Sequence, residues 1–143
     1  MKNISIITDG SCDIPAEVIE KYGIKLIPLH FQFEDQVEYG SERKMELGEF
    51  YKRLANGEVA KTSASSPSAA IQVLKEELEK GNDIICVTLS SALSCTFNNI
   101  RLASLELLDS YPESRITVID SLTGSMAMGM LVVKACMMRN EKY

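Results

Sequence analysis

Four short segments concentrate the residues able to do chemistry: Thr8-Asp9-Gly10-Ser11, Lys61-Thr62-Ser63-Ala64-Ser65-Ser66, Ser90-Ser91-Ala92-Leu93-Ser94-Cys95-Thr96 and Asp120-Ser121-Leu122-Thr123-Gly124-Ser125. All are rich in small hydroxyl side chains, and each is expected to follow a strand and open a helix. A helix start presents unpaired N–H groups and the positive end of the helix dipole. Several such starts at one edge make an anion cradle. Hydroxyl residues are also the preferred helix caps, but a cap uses one or two per helix. Residues 62–66 and 90–94 hold more than capping needs, which leaves some to face a ligand.

The kind of anion follows from what accompanies these hydroxyls. Neither a G-x-x-x-x-G-K-[ST] loop nor a G-x-G-x-x-G fingerprint occurs, and Lys61 is the one cation near the segments. A polyphosphate calls for more positive charge. A single carboxylate suits two or three neutral donors, because hydrogen bonds to an ionised acceptor are the strong ones.

The elements that must position these loops are legible from periodicity. Strands are expected over 4–7, 24–33, 83–89 and 115–120, and helices over 13–22, 46–55, 66–80, 94–111 and 125–139, with 34–45 an exposed excursion. Asp13 with Pro15 reads as a capped entry to the first helix and Gly23 as its stop. Ser66-Pro67 opens the third helix, with Ala70, Ile71, Leu74 and Leu78 on one face. Repeated β-loop-α units predict an α/β fold, a mainly parallel sheet with helices on both faces. Ligands of such folds sit beyond the carboxyl ends of the strands.

Composition narrows the class. The 143 residues carry a net charge of −5 with no basic run, so nucleic acid is not an expected partner. Cys12, Cys86, Cys95 and Cys136 are scattered and His30 is the sole histidine, which suggests neither a metal site nor a disulfide framework. A cytoplasmic protein with reduced thiols follows. The start is not a signal peptide, and the apolar stretch 122–138 is broken by Gly124, Ser125, Gly129 and Lys134, so no membrane span is expected.

The segments also carry a resemblance. Residues 6–15, Ile-Ile-Thr-Asp-Gly-Ser-Cys-Asp-Ile-Pro, resemble the opening T-D-[SG]-[ST]-x-D-[IL] signature of the DegV family. Residues 61–67 are similar to its K-T-S-Q-P-[ST]-P segment, 87–97 to its [IV]-[ST]-[IL]-S-S-x-L-S-G-T-[YF], and Asp120-Ser121 with Gly124-Ser125 and Gly129 to its D-[ST]-x-x-[AG]-S-x-G-x-G. The resemblance implies a fold like the DegV N-terminal domain and a non-catalytic protein that binds a long-chain fatty acid. Thr62 and Ser94 match the positions that hold the carboxylate. Ser63, Ser91, Cys95 and the backbone amides of 94–96 join them as candidate ligand-binding residues. It further implies presentation of the acid to a fatty acid kinase subunit for acyl-phosphate formation, with no cofactor.

Departures from the family pattern are Cys95 in place of the usual Gly and Ala64-Ser65 in place of Gln-Pro. Family members continue into a second, mostly helical domain that completes the lipid tunnel and adds a His and an Arg. Residues 1–143 are therefore expected to be one α/β domain, a truncated form with an exposed apolar face that favours self-association.

Rival readings use the same loops. Cys95 at a helix start could be a thiolate nucleophile, but no His lies near it in sequence. Ser91 or Ser94 could serve a hydrolase, although the G-x-S-x-G elbow is absent. Asp9, Asp13 and Asp120 could hold Mg²⁺ in a small phosphotransferase; Asp9 as a loop hydrogen-bonder and Asp13 as a cap are the plainer roles. His30 on an apolar strand reads as structural. Helical spacing puts most of Met126, Met128, Met130, Met137 and Met138 in the core, the rival being a flexible lipid-contacting wall.

Overall fold

The computed structural model describes residues 2–35, 37–40 and 43–141. Its frame is a four-stranded sheet in the order β2-β1-β6-β7, formed by β1 (Ile4–Asp9), β2 (Lys25–Ile27), β6 (Asp83–Thr88) and β7 (Ile116–Asp120). Every pairing in it is parallel. Ile7, Ile84 and Cys86 face one side, where Ala70, Leu74 and Leu78 of α3 (Pro67–Glu79) and Ile100, Ala103 and Leu107 of α4 (Thr96–Ser110) cover them. Ile6 and Val87 face the other, against Met128, Val132 and Cys136 of α5 (Ser125–Glu141), with Val18, Ile19 and Tyr22 of α1 (Ala16–Tyr22) packed alongside. The parallel sheet with helices on both faces is as the sequence predicts.

Several local expectations are corrected. The single strand over 24–33 is two strands in two sheets, because Pro28 lies between β2 and β3 (His30–Gln32). A proline has no N–H for a ladder, so the run breaks there. A second, antiparallel sheet in the order β4-β3-β5 is completed by β4 (Glu38–Tyr39) and β5 (Lys61–Ser63). The excursion over 34–45 thus contributes a strand, and the Lys61-Thr62-Ser63 hydroxyls belong to a strand rather than to a loop after one. Helix α2 (Leu47–Ala55) packs on this sheet through Phe50, whose ring centroid lies 5.1 Å from that of Phe31 and 5.6 Å from that of Phe33. Arg53 closes the corner, 4.0 Å above the Phe33 ring and bonded to Asp35 and Glu58.

Asp13 does not cap α1. Pro15 is the capping residue and makes no side-chain bond. Asp13 instead adopts φ 50° and accepts a 2.5 Å hydrogen bond from Ser125 Oγ at the start of α5. Gly23 ends α1 in the left-handed conformation, and Ser66 caps α3 by accepting from the Ala69 amide at 3.1 Å, both as expected. Among the methionines of α5 only Met128 is buried, while Met126, Met130, Met137 and Met138 are 41–66% exposed. α5 is apolar on more sides than the sheet can cover.

Candidate functional site

The carboxyl ends of β1 and β6 are joined by a buried carboxylate. Asp9 is fully buried and accepts from the Ser11 amide (3.0 Å) and Ser11 Oγ (2.5 Å) at one oxygen and from the Leu89 amide (2.7 Å) at the other. Both oxygens therefore serve as acceptors. Asp120 does a similar service at the end of β7, accepting at Oδ1 from the Ser91 and Leu122 amides at 3.2 and 3.1 Å. Hydrogen bonds from Ser91 and Leu122 hold its carboxyl below the usual range.

A second knot fixes the hydroxyl segments against one another. Ser65 is buried; its hydroxyl donates to the Pro28 carbonyl (2.8 Å), its amide to Thr96 Oγ1 (3.3 Å), and its carbonyl accepts from Asn99 Nδ2 (2.9 Å). Thr96 Oγ1 lies 2.9 Å from Ser94 Oγ, which also accepts the Thr96 amide at 3.2 Å. The Ser94 amide donates to the Ser90 carbonyl. Of the three amides at 94–96, that of Cys95 alone has no such bond among the described residues.

Above these knots lies a pocket of about 460 Å³ lined by Gly10, Ser11, Leu29, His30, Phe31, Thr62, Ser63, Ala64, Leu89, Leu93 and Ser94. It stands where the small sheet meets the carboxyl edge of the parallel sheet. Three of the five predicted site residues, Thr62, Ser63 and Ser94, come together on it. Ser91 and Cys95 are exposed and lie outside its lining. Leu29, Phe31, Leu89 and Leu93 give the pocket an apolar wall. A Cβ added at Gly124 would stand 2.9 Å from Leu89 Cδ1 and 3.8 Å from Leu93 Cδ1, so that glycine sets how far the wall can retreat. Lys61 lines a smaller neighbouring pocket of about 170 Å³ with Phe31, Gln32, Glu38, Thr62 and Ser63.

Asp9 is the loop hydrogen-bonder that the sequence suggests; Ser65 as a strut of the site and His30 as part of its lining were missed. Pro28 was the available signal for His30, since a break there frees the following residues to leave the main sheet. The carboxylates raised as metal ligands are otherwise engaged: Asp9 with Ser11 and Leu89, Asp13 with Ser125, Asp120 with Ser91 and Leu122. Among the described residues no group of three or more His, Cys, Asp or Glu is placed to hold a metal ion. Cys12, Cys86 and Cys136 are buried, and burial pushes each thiol up from its ordinary value. No helix among the described residues is long and apolar enough to cross a membrane.

Fold and site together define an α/β protein with a hydroxyl-bearing, apolar-walled pocket at the carboxyl edge of its parallel sheet. A family model described as "Uncharacterised protein, DegV family" matches residues 3–142, and the chain belongs to the DegV family. It is 33% identical over 141 residues to a DegV domain-containing protein of Caldanaerobacter subterraneus subsp. tengcongensis, covering 99% of this chain and 49% of that one. With Protein DegV of Bacillus subtilis the identity is 31% over 136 residues, covering 93% and 46%. Among solved structures, a stearic acid-binding protein from Eubacterium ventriosum superposes with a TM-score of 0.90 at 26% identity, covering 99% of this chain and 48% of that one. The Bacillus subtilis DegV structure, described as a fatty acid binding protein, gives 0.83 at 29% identity, with 99% and 49% covered. The chain spans about half the length of the relatives it matches.

Proposed function

We propose that this chain forms the head-group half of a fatty-acid site, in which Thr62 and Ser94 hold the carboxylate and the chain itself performs no chemistry. The carrying observation is the convergence of Thr62, Ser63 and Ser94 on one pocket that is also lined by the apolar side chains of Leu29, Phe31, Leu89 and Leu93. An acid with an alkyl tail matches both kinds of lining. The Ser94 hydroxyl has a fixed position through Thr96, and the Thr62 hydroxyl bonds to no described residue, which leaves it free to donate. Ser63 lines the same pocket and joins them, whereas Ser91 and Cys95 lie outside its lining and are not assigned to the head group. The fatty-acid-binding relatives support the ligand class.

On this reading the protein is a cytoplasmic carrier that presents the carboxylate to a separate fatty acid kinase subunit, and the acyl chain is enclosed with the help of a second half like that of its relatives. Mass spectrometry of the chain joined to the second half of the Bacillus subtilis relative tests it. A long-chain fatty acid co-purifies, and Thr62→Ala or Ser94→Ala each lowers its affinity by about 10- to 100-fold, the worth of one hydrogen bond to a charged acceptor. Absence of any bound fatty acid, or variants that bind as the parent does, overturns the assignment.

A further inference from the structure

Resting on the carboxylate reading of the pocket, we propose that His30 is a further binding residue for the ligand's acidic head group, drawing it in through the protonated form of its imidazole. His30 is the one ionisable residue among the described residues lining the pocket; the other lining side chains are hydroxylic, apolar or glycine. A carboxylate entering there leaves water for a wall of neutral groups, so a single positive charge at that wall has a large relative effect.

The imidazole has a made seat. It lies over Gly40, where a Cβ would stand 2.1 Å from His30 Cδ2 and 2.7 Å from Nε2, so the ring position depends on the absence of a side chain at 40. Nδ1 is 3.8 Å from Oε1 of the exposed Glu38, which fixes the side of the ring that faces solvent and its cross-strand neighbour. The backbone carbonyl of His30 accepts from Ser63 Oγ at 3.5 Å, which joins the histidine to the hydroxyl group of the same pocket.

The other charged groups around this strand do not duplicate the role. Lys61 pairs with Gln32, two residues along β5 from the Ser63 partner of His30, and lines the smaller pocket. Arg53 sits over Phe33 and is held by Asp35 and Glu58. Lysine and arginine side chains also keep their charge between pH 6 and 8, the window in which histidine ordinarily changes its own. Among the described residues lining the pocket, His30 is the one whose side chain can make carboxylate affinity depend on pH there.

The chain holds one histidine, so its ring gives a single set of imidazole resonances. The experiment titrates those resonances by NMR from pH 5 to 9 in the 143-residue chain, alone, with saturating sodium decanoate, and with 1-decanol. Decanoate raises the titration midpoint by about 0.5 to 1 pH unit, which by linkage equals an affinity about three- to tenfold higher for the protonated form. 1-Decanol, with the same tail and no charge, leaves the midpoint in place. His30→Gln binds decanoate equally at pH 6 and pH 8. Decanoate binding with an unmoved midpoint, or a His30→Gln variant that keeps the parental pH profile, overturns the assignment of His30 and leaves the hydroxyl site standing. No decanoate binding at either pH, in this chain and in the chain joined to the second half of the Bacillus subtilis relative, overturns the carboxylate reading and this inference with it.

Discussion

Replacing Asp9 by Asn tests whether a buried carboxylate holds the edge that carries the pocket. The side chain is fully buried between β1 and the loop after β6, and its two oxygens take three hydrogen bonds, from the Ser11 amide, the Ser11 hydroxyl and the Leu89 amide. Asparagine has nearly the same shape but only one accepting atom. With its oxygen toward Ser11, its NH₂ meets the Leu89 N–H donor to donor; flipped, it leaves the Ser11 amide unpaired. Either way one buried N–H loses its partner at a cost of about 1–3 kcal/mol, and the remaining bonds lose their charge assistance, for a total of about 2–4 kcal/mol. For a chain of this length that is a fall in Tm of roughly 6–12 °C. Urea denaturation followed by far-ultraviolet circular dichroism measures the loss, and hydrogen exchange at the Leu89 amide reports its place. An Asp9→Asn protein within about 0.5 kcal/mol of the parent, with Leu89 still protected, would refute the strut, since a surface substitution away from such features costs no more.

Two further outcomes follow from contacts at other points of the frame. Gly129→Ala puts a Cβ 2.5 Å from the Cys12 carbonyl oxygen and 3.0 Å from Ile14 Cγ1; backbone cannot step aside, so thermal denaturation shows a loss of about 1–3 kcal/mol, and a neutral result contradicts the close docking of α5 on the β1–α1 loop. Glu77 is buried beneath the sheet with Lys80 Nζ at 2.6 Å and Asn82 Nδ2 at 2.9 Å. Burial pushes its carboxyl up, but the hydrogen bonds from Lys80, Asn82 and Ser5 outweigh this and leave it below the ordinary range. Its stabilising contribution is therefore complete above the unfolded-state value near pH 4.3 and lost as pH falls through the depressed folded value. The stability gap between the parent and Glu77→Gln is constant around neutrality and closes below about pH 4; a gap unchanged down to pH 3 contradicts the assignment.

How much of this was legible in the sequence depends on whether the signal was local. The parallel sheet was, because 83–89 and 115–120 are apolar runs between helical periodicities, and such runs have one way to pair. The small sheet was not. β4 and β5 are two and three residues long, and all three of Lys61–Ser63 are exposed, so no alternation marks them. Their pairing is decided by Phe31, Phe33, Tyr39 and Phe50 meeting from separated parts of the chain. α5 was legible as a helix but not in its facing, since an apolar helix without a polar stripe does not say which side is covered.

The same distinction governs the site. Counting hydroxyls pointed to the edge where the pocket lies, yet a count cannot separate a hydroxyl bonded within the protein from one left free. Ser65 and Thr96 are 31 residues apart and satisfy each other, and Ser65 also takes the carbonyl of Pro28, 37 residues away. Ser66 is absorbed by its own helix and Ser90 by its own turn. What remains is Thr62 on an exposed strand, whose hydroxyl bonds to no described residue, and Ser94 ahead of α4, whose oxygen is engaged by Thr96 and whose proton is left to donate when Thr96 is the donor between them. That surplus is the physical content of the candidate site: hydroxyls held in place by neighbours that are themselves fully bonded, beside an apolar wall and a lone imidazole.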